Sequence, residues 1–278
     1  MAWPQRLGPP VDARSAFAPE RRTLLKLLDT LSGADWERPA VCPGWTVWDI
    51  AAHLLGDDLA RLARGRDNHH GLAPRPPESL PDFLNRINDE WVTAARRLSP
   101  VLLISMLQWT GEQVERFWLD QDLQRLGEPV SWAGPHPAPV WLDAARDFTE
   151  YWIHRQQIHD ALCLPDDPSP HVRHLVFDTL IRALPYALRD RTAPADTAVT
   201  VTVAGTGGGN WTVRSADGEW ILVTGSARAP LAHVVLPGDA AWRLWTRGIE
   251  PETARPRATL NGDPELGEVV LRMVSIIR

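Results

Sequence analysis

The segment RDFTEYWIHR, residues 146–155, places a glutamate and a histidine four positions apart, at Glu150 and His154. The segment lies in a predicted helix over residues 141–163, which begins just after Pro139, where a helix start tolerates proline. Four residues of α-helix turn roughly 400°, so the two side chains project from one face about one turn apart. The spacing therefore predicts a helix that presents a carboxylate and an imidazole to the same neighbour.

A second segment, CPGWTVWDIAAHL at residues 42–54, carries a further histidine, His53. Thr46 is a plausible N-cap with Asp49 three positions later, close to the capping-box pattern, which predicts a helix start there. Two imidazoles and one carboxylate are the ligands that a divalent ion such as zinc takes when one position stays open. A histidine on an apolar helix is usually a core residue, so the combination of the two segments carries the hypothesis of a metal site at His53, Glu150 and His154.

Helix geometry adds three candidates beside these ligands. Asp57 follows the histidine of the first helix by four residues, and Asp147 precedes the glutamate of the second helix by three. Each could orient an imidazole or a water molecule, although a solvated helix face accounts for both equally well. Gln157 follows the second histidine by three residues and is a candidate for a hydrogen bond to a substrate. The pattern assigns no catalytic side chain.

Composition indicates a globular cytoplasmic protein, and the candidate site predicts a small-molecule substrate. A net charge of −6 disfavours a nucleic-acid surface, and no apolar run reaches the roughly 20 residues that span a bilayer. The first residues lack the apolar core of a signal peptide. Two cysteines provide neither a disulfide framework nor a thiolate metal cluster. The oligomeric state stays open, because an apolar helix stripe can face either the core or a second subunit.

The periodicity of the sequence changes near residue 192. Before it, 3.6-residue periodicity and Pro/Gly punctuation predict helices at 18–31, 46–64, 80–98, 101–122, 141–163 and 171–188, with long loops at 65–81 and 127–139. After it, period-two alternation predicts strands at 197–203, 211–214, 220–223, 232–236 and 257–261, with helices at 239–246 and 264–276. The chain is therefore predicted to be an α+β protein of two domains, a helical bundle at 1–190 and a small α+β domain at 196–278.

In the segment at residues 42–54, the chain resembles the mycothiol-dependent maleylpyruvate isomerase family. The hallmark of that family is a C-x-G-W-T-V-x-D-[IV]-x-x-H segment, followed much later by an E-x-x-x-H helix. The C-terminal part is similar to the family's sterol-carrier-protein-like α+β domain, particularly at residues 237–240 and 261–266. The resemblance implies a DinB-like metal-binding four-helix bundle, and it places His53, Glu150 and His154 on the positions that bind a divalent metal, usually zinc.

The resemblance also implies an activity. Mycothiol or another low-molecular-weight thiol would lose its proton at the metal and add to the conjugated double bond of maleylpyruvate. Rotation about the resulting single bond and expulsion of the thiol would then give the trans isomer. The same ligands also suit a thiol S-transferase or a metal-dependent hydrolase. The alternative is a non-catalytic metal- or small-molecule-binding protein, or a stress-response protein, on the same scaffold.

Overall fold

The computed structural model describes residues 3–275 and confirms a mixed helical and β architecture. The elements in chain order are α1 (Phe17–Asp29), α2 (Gly33–Trp36), α3 (Val47–Arg61), α4 (Leu80–Ala95), α5 (Pro100–Leu119), β1 (Leu126–Pro129), β2 (Pro137–Pro139), α6 (Val140–Ala161), α7 (Pro170–Leu180), α8 (Leu184–Ala187), β3 (Ala198–Ala204), β4 (Gly209–Ala216), β5 (Glu219–Val223), β6 (Ala232–Pro237), α9 (Gly238–Trp245), α10 (Pro251–Ala254), β7 (Thr259–Gly262) and α11 (Pro264–Arg272).

The chain packs as two compact units. One consists of residues 13–121 and 147–167, and the other of residues 3–12, 122–146 and 168–275. The domain boundary predicted at residues 190–196 stays a prediction. Within residues 3–275, no helix has both the length and the apolar character that crossing a membrane requires.

The first unit is a helical bundle in which α5 packs against α1 and α3, and α4 packs against α3. Much of α3 is buried, including Ile50, Ala52 and Leu54, because its apolar residues occupy more than one stripe of the helix. Buried polar contacts accompany this apolar core: Tyr151 of α6 donates a hydrogen bond of 2.7 Å to Asp58 of α3. The bundle thus joins α3 and α6, the two helices that carry the predicted ligands.

The second unit contains a five-stranded sheet in the order β5-β4-β3-β6-β7. Only the β3–β6 pair is parallel, and the other three pairs are antiparallel. The alternating residues Val199, Val201 and Val203 are buried, and α9 and α11 pack against β3 and β6. Asp217 and Gly218 both have positive φ, as the predicted hairpin turn between β4 and β5 requires. The α+β character predicted after residue 192 is confirmed.

Three sequence-based boundaries need correction or qualification. The predicted loop at 127–139 contains part of a two-stranded ribbon, because β1 and β2 pair antiparallel. The predicted helix at 171–188 is interrupted by a 3-10 turn at Ile181–Ala183. Pro185 lacks the amide hydrogen that would continue the α-helical bonding there. The last helix ends at Arg272, and its predicted end at Ile276 lies outside the described residues.

Candidate metal centre

The N-terminus of α3 fixes the position of His53. The Thr46 hydroxyl accepts a hydrogen bond from the Asp49 amide, and the Asp49 carboxylate accepts one from the Thr46 amide at 2.9 Å. The predicted capping box is therefore confirmed. Arg96, directly after α4, donates two further hydrogen bonds of 2.9 Å to the same carboxylate. The start of α3 is thus held from two sides, and His53 follows within the next two turns.

His154 of α6 meets His53 of α3 between the two helices. Nε2 of His154 lies 3.5 Å from Oε2 of Glu150, as their one-turn spacing predicts. The ring of His53 packs edge-on against the ring of His154, with centroids 4.7 Å apart and an interplanar angle of 81°. Each histidine is only 8% exposed. The structure therefore brings two imidazoles and a carboxylate into one small volume.

Asp57, which follows His53 by one helical turn, also lies in this group. Its Oδ2 lies 3.2 Å from Nε2 of His53, and the potential ligand atoms of His53, Asp57 and His154 all lie within 4.8 Å of one another. Side-chain exposure is 33% for Asp57 and 24% for Glu150, against 10% for each imidazole. Each helix thus presents a buried imidazole with a more exposed carboxylate one turn away. Whether Glu150 is the third ligand, as the sequence suggested, stays a prediction.

The electrostatics of the cluster suit a cation. Burial lowers the pKa of His53 well below its ordinary value, and the neighbouring His154 lowers it further. The imidazole of His53 is therefore uncharged at neutral pH and retains a lone pair for a ligand. Asp57 and Glu150 add carboxyl oxygen donors beside the two rings. Imidazole and carboxylate together are a donor set that zinc and other divalent transition ions accept, so the residues fit such an ion.

The other face of His154 contacts Gln157. Nδ1 of His154 lies 2.8 Å from Oε1 of Gln157, whose side chain is almost fully buried. The thiol of Cys42, in the loop before α3, lies 3.8 Å from the same amide oxygen. Gln157 thus reaches the nitrogen of His154 that faces away from Glu150. Its predicted contact with a substrate stays a prediction.

Asp147, the remaining sequence candidate, lies in a different set of contacts. Its carboxylate accepts hydrogen bonds of 3.1 and 2.9 Å from Arg61 of α3 and one of 2.9 Å from the indole of Trp118 of α5. The Arg61 guanidinium also lies 4.8 Å above the Trp118 ring. These contacts link three helices of the bundle, and the predicted role of Asp147 in orienting an imidazole or a water stays a prediction.

Trp45 contacts the centre and was not singled out from the sequence. Its ring centroid lies 5.2 Å from that of His53, and its indole donates a 3.3 Å hydrogen bond to Asp89 of α4. Trp45 precedes the N-cap of α3, so helical geometry does not place it. Its position inside the quoted segment at residues 42–54 was the one available signal.

A helical bundle in which two helices each present a histidine and a carboxylate defines this chain as a candidate metal-binding bundle protein. Residues 17–159 match the family described as the mycothiol maleylpyruvate isomerase N-terminal domain. The chain belongs to this family, since the match covers just over half of its length.

Solved structures share the fold of this chain. The chain is 11% identical to a histidine-to-alanine mutant of the mycothiol-dependent maleylpyruvate isomerase, with a TM-score of 0.52 and coverage of 94% of this chain and 93% of that one. A crystal structure of the mycothiol-dependent maleylpyruvate isomerase matches with a TM-score of 0.50 at 11% identity, covering 89% and 90% of the respective chains. No curated protein sequence matches the chain. At this identity, the likeness concerns the fold.

Proposed function

We propose that this protein is a metal-dependent enzyme that activates a low-molecular-weight thiol, either for cis–trans isomerisation or for thiol S-transfer. The observation that carries the proposal is the convergence of His53, Asp57 and His154, with Glu150 3.5 Å from His154, in a chain of the mycothiol maleylpyruvate isomerase N-terminal domain family. The solved structures with the same fold are of the mycothiol-dependent maleylpyruvate isomerase. Mycothiol is accordingly the first thiol to test, and maleylpyruvate the first substrate.

In this proposal, His53, Glu150 and His154 hold the ion, and Asp57 is a further candidate ligand. Zinc is the expected metal because two imidazoles and a carboxylate leave it a position for an exogenous ligand. A bound zinc ion would supply the positive charge that favours thiolate over thiol at neutral pH. The burial of both histidines limits water around their rings and fixes their direction. Asp57 and Glu150 are more exposed than the two imidazoles, so in this proposal a thiol would approach past the carboxylates.

Metal content is the primary test. Elemental mass spectrometry of the purified, untagged protein is expected to give about one equivalent of zinc or another divalent ion. His53→Ala and His154→Ala are expected to lose it. His159→Ala is the matched control, since His159 lies on the same helix but its Nδ1 contacts the Pro165 carbonyl oxygen at 2.7 Å. If the two ligand variants fold normally and keep the metal, the site assignment is wrong.

The two carboxylates can be separated by conservative variants. Glu150→Gln and Asp57→Asn each remove one anionic oxygen donor and keep the side-chain size. Isothermal titration calorimetry of zinc binding to the metal-free variants compares how much each carboxylate contributes to zinc affinity. A larger loss of affinity in Glu150→Gln is the outcome expected for Glu150 as the third ligand, and the reverse order would assign that place to Asp57.

Thiol dependence tests the reaction class. The metal-loaded protein is expected to turn over maleylpyruvate, or an electrophilic substrate, only when a thiol is added, and His53→Ala is expected to abolish that turnover. Turnover without thiol would indicate hydrolysis or another thiol-independent reaction. Tight ligand binding by calorimetry with no turnover across both substrate classes would favour the non-catalytic binding protein instead.

A further inference from the structure

The side-chain amide of Gln157 contacts two groups, the His154 ring and the Cys42 thiol. Its side chain is 4% exposed and lies on the helix that carries His154, three residues further on. Its Oε1 contacts Nδ1 of His154 at 2.8 Å, and the Cys42 sulfur lies 3.8 Å from the same atom. In this amide orientation, Oε1 faces both groups and can accept a weak hydrogen bond from the Cys42 thiol.

This orientation decides where His154 carries its proton. A neutral imidazole has one N–H and one lone pair, and the tautomer follows from the hydrogen bond that each nitrogen makes. Because Oε1 of Gln157 can only accept, the proton lies on Nδ1. The lone pair is then on Nε2, the atom 3.5 Å from Oε2 of Glu150 and among the potential ligand atoms of the cluster.

We propose that Gln157 is a positioning residue that holds His154 in the tautomer with the proton on Nδ1 and the lone pair on Nε2, and that the Cys42 thiol holds the Gln157 amide in place. The inference rests on the proposed metal centre. In this inference, Gln157 orients the candidate ligand His154, and Cys42 acts on His154 only through its contact with the Gln157 amide. Partners of this kind behind a ligating histidine typically change metal affinity by about 10–100-fold when removed.

The test compares three variants of the full chain. Gln157→Leu removes the acceptor, Gln157→Glu keeps an acceptor oxygen in place, and Cys42→Ala removes the weaker contact to the amide. Zinc dissociation constants are measured by competition with a chromophoric chelator. We expect Gln157→Leu to bind zinc about 10–100-fold more weakly, Gln157→Glu to restore most of the affinity, and Cys42→Ala to lose less than Gln157→Leu.

A second readout does not depend on metal. Long-range proton–nitrogen-15 correlation spectra of the metal-free protein in alkaline buffer report the tautomer of each of the nine histidines. The His154 ring is assigned from the spectrum of His154→Gln. The wild type is expected to show the proton on Nδ1, and Gln157→Leu to show a shift of population towards the proton on Nε2.

The outcomes separate the inference from the proposed function. If Gln157→Leu, folded as judged by circular dichroism, keeps both the tautomer and the zinc affinity of the wild type, Gln157 has no positioning role. A wild type with the proton on Nε2 in the metal-free protein would also overturn the inference. If the wild type binds no divalent ion while the predicted tautomer is observed, the metal centre fails and the hydrogen-bond assignment stands as a structural one.

Discussion

Asp58 offers the sharpest test of how the helical unit is held together. Its carboxylate is fully buried and accepts hydrogen bonds from Arg21 of α1, Thr110 of α5 and Tyr151 of α6. Burial lowers the pKa of Arg21, but the charge and hydrogen bond of Asp58, together with Tyr151 and Glu20, more than offset burial and hold that pKa above its ordinary value. Burial and the same charge raise the pKa of Tyr151 well above its usual value, so the phenol remains a donor. One carboxylate thereby joins four helices.

The expected magnitude follows from what each substitution leaves behind. Arg21→Met leaves the buried Asp58 charge with two neutral donors, and removing one partner of a buried ion pair costs about 3–5 kcal/mol. In the double variant Arg21→Met/Asp58→Leu, neither charge of this ion pair remains. Thr110 keeps the Met106 carbonyl as an acceptor at 3.0 Å, whereas the Tyr151 hydroxyl loses the Asp58 acceptor, which costs about 1–3 kcal/mol. The double variant should therefore be more stable than Arg21→Met by roughly 2 kcal/mol.

Urea unfolding measured by far-ultraviolet circular dichroism gives these free energies by linear extrapolation. A chelator in all samples removes any stabilisation by bound metal. Arg21→Lys, which keeps a cation but not the planar fork, is the matched control and should lose less stability than Arg21→Met. An Arg21→Met variant whose free energy of unfolding falls by less than about 1 kcal/mol would refute the reasoning, as would a double variant no more stable than Arg21→Met.

Three further predictions concern pH and backbone geometry. Because folding lowers the pKa of His53, the unfolded chain binds the extra proton first as pH falls. The metal-free protein should therefore lose stability below about pH 6.5, by at most ~1.4 kcal/mol per pH unit from this residue. The slope of urea midpoints against pH should flatten in His53→Gln, and an unchanged slope would contradict the assignment. Thr46→Ala should cost about 0.5–2 kcal/mol, with Thr46→Ser close to wild type in the same assay. Gly218→Ala should lose about 1–2 kcal/mol from its left-handed φ alone. Gly262→Ala should lose more, since its added Cβ would lie 2.0 Å from the Leu231 carbonyl oxygen; equal thermal midpoints would refute this.

The structure agrees with the sequence-based expectations where the stabilising interaction joins residues that are close in sequence. The capping box is formed by Thr46 and Asp49, which are three residues apart, so it can be predicted from the local sequence. The alternation at 197–203 can likewise be predicted from a single strand. The ribbon of β1 and β2 is different, because proline at both ends of β2 argues against a strand on propensity. Its pairing comes from a partner segment eight residues upstream. The interruption of the helix at Ile181–Ala183, by contrast, could have been predicted from Pro185, which has no amide hydrogen for the α-helical bond.

The same distinction explains the candidate site. Spacing along a helix predicts which side chains share a face, so Glu150 was expected near His154, and Asp57 was a candidate near His53 on the same grounds. Spacing does not predict which ring nitrogen a neighbour reaches. The carboxylates one turn away lie beside Nε2 of their histidines, whereas Gln157, three residues on, contacts Nδ1 of His154.

Contacts from outside the two helices follow no periodicity at all. Trp45 and Cys42 lie in the loop before α3, and they reach His53 and Gln157 only because the loop folds back over the start of that helix. The Pro39–Thr46 bridge closes this loop, with the Ala40 amide bonded to the Trp45 carbonyl oxygen at 2.8 Å. The candidate ligand pairs are therefore encoded along single helices, whereas the contacts of Trp45 and Cys42 depend on how the loop closes. Variation in that loop is expected to change the surroundings of His53 and Gln157 while leaving the candidate ligands unchanged.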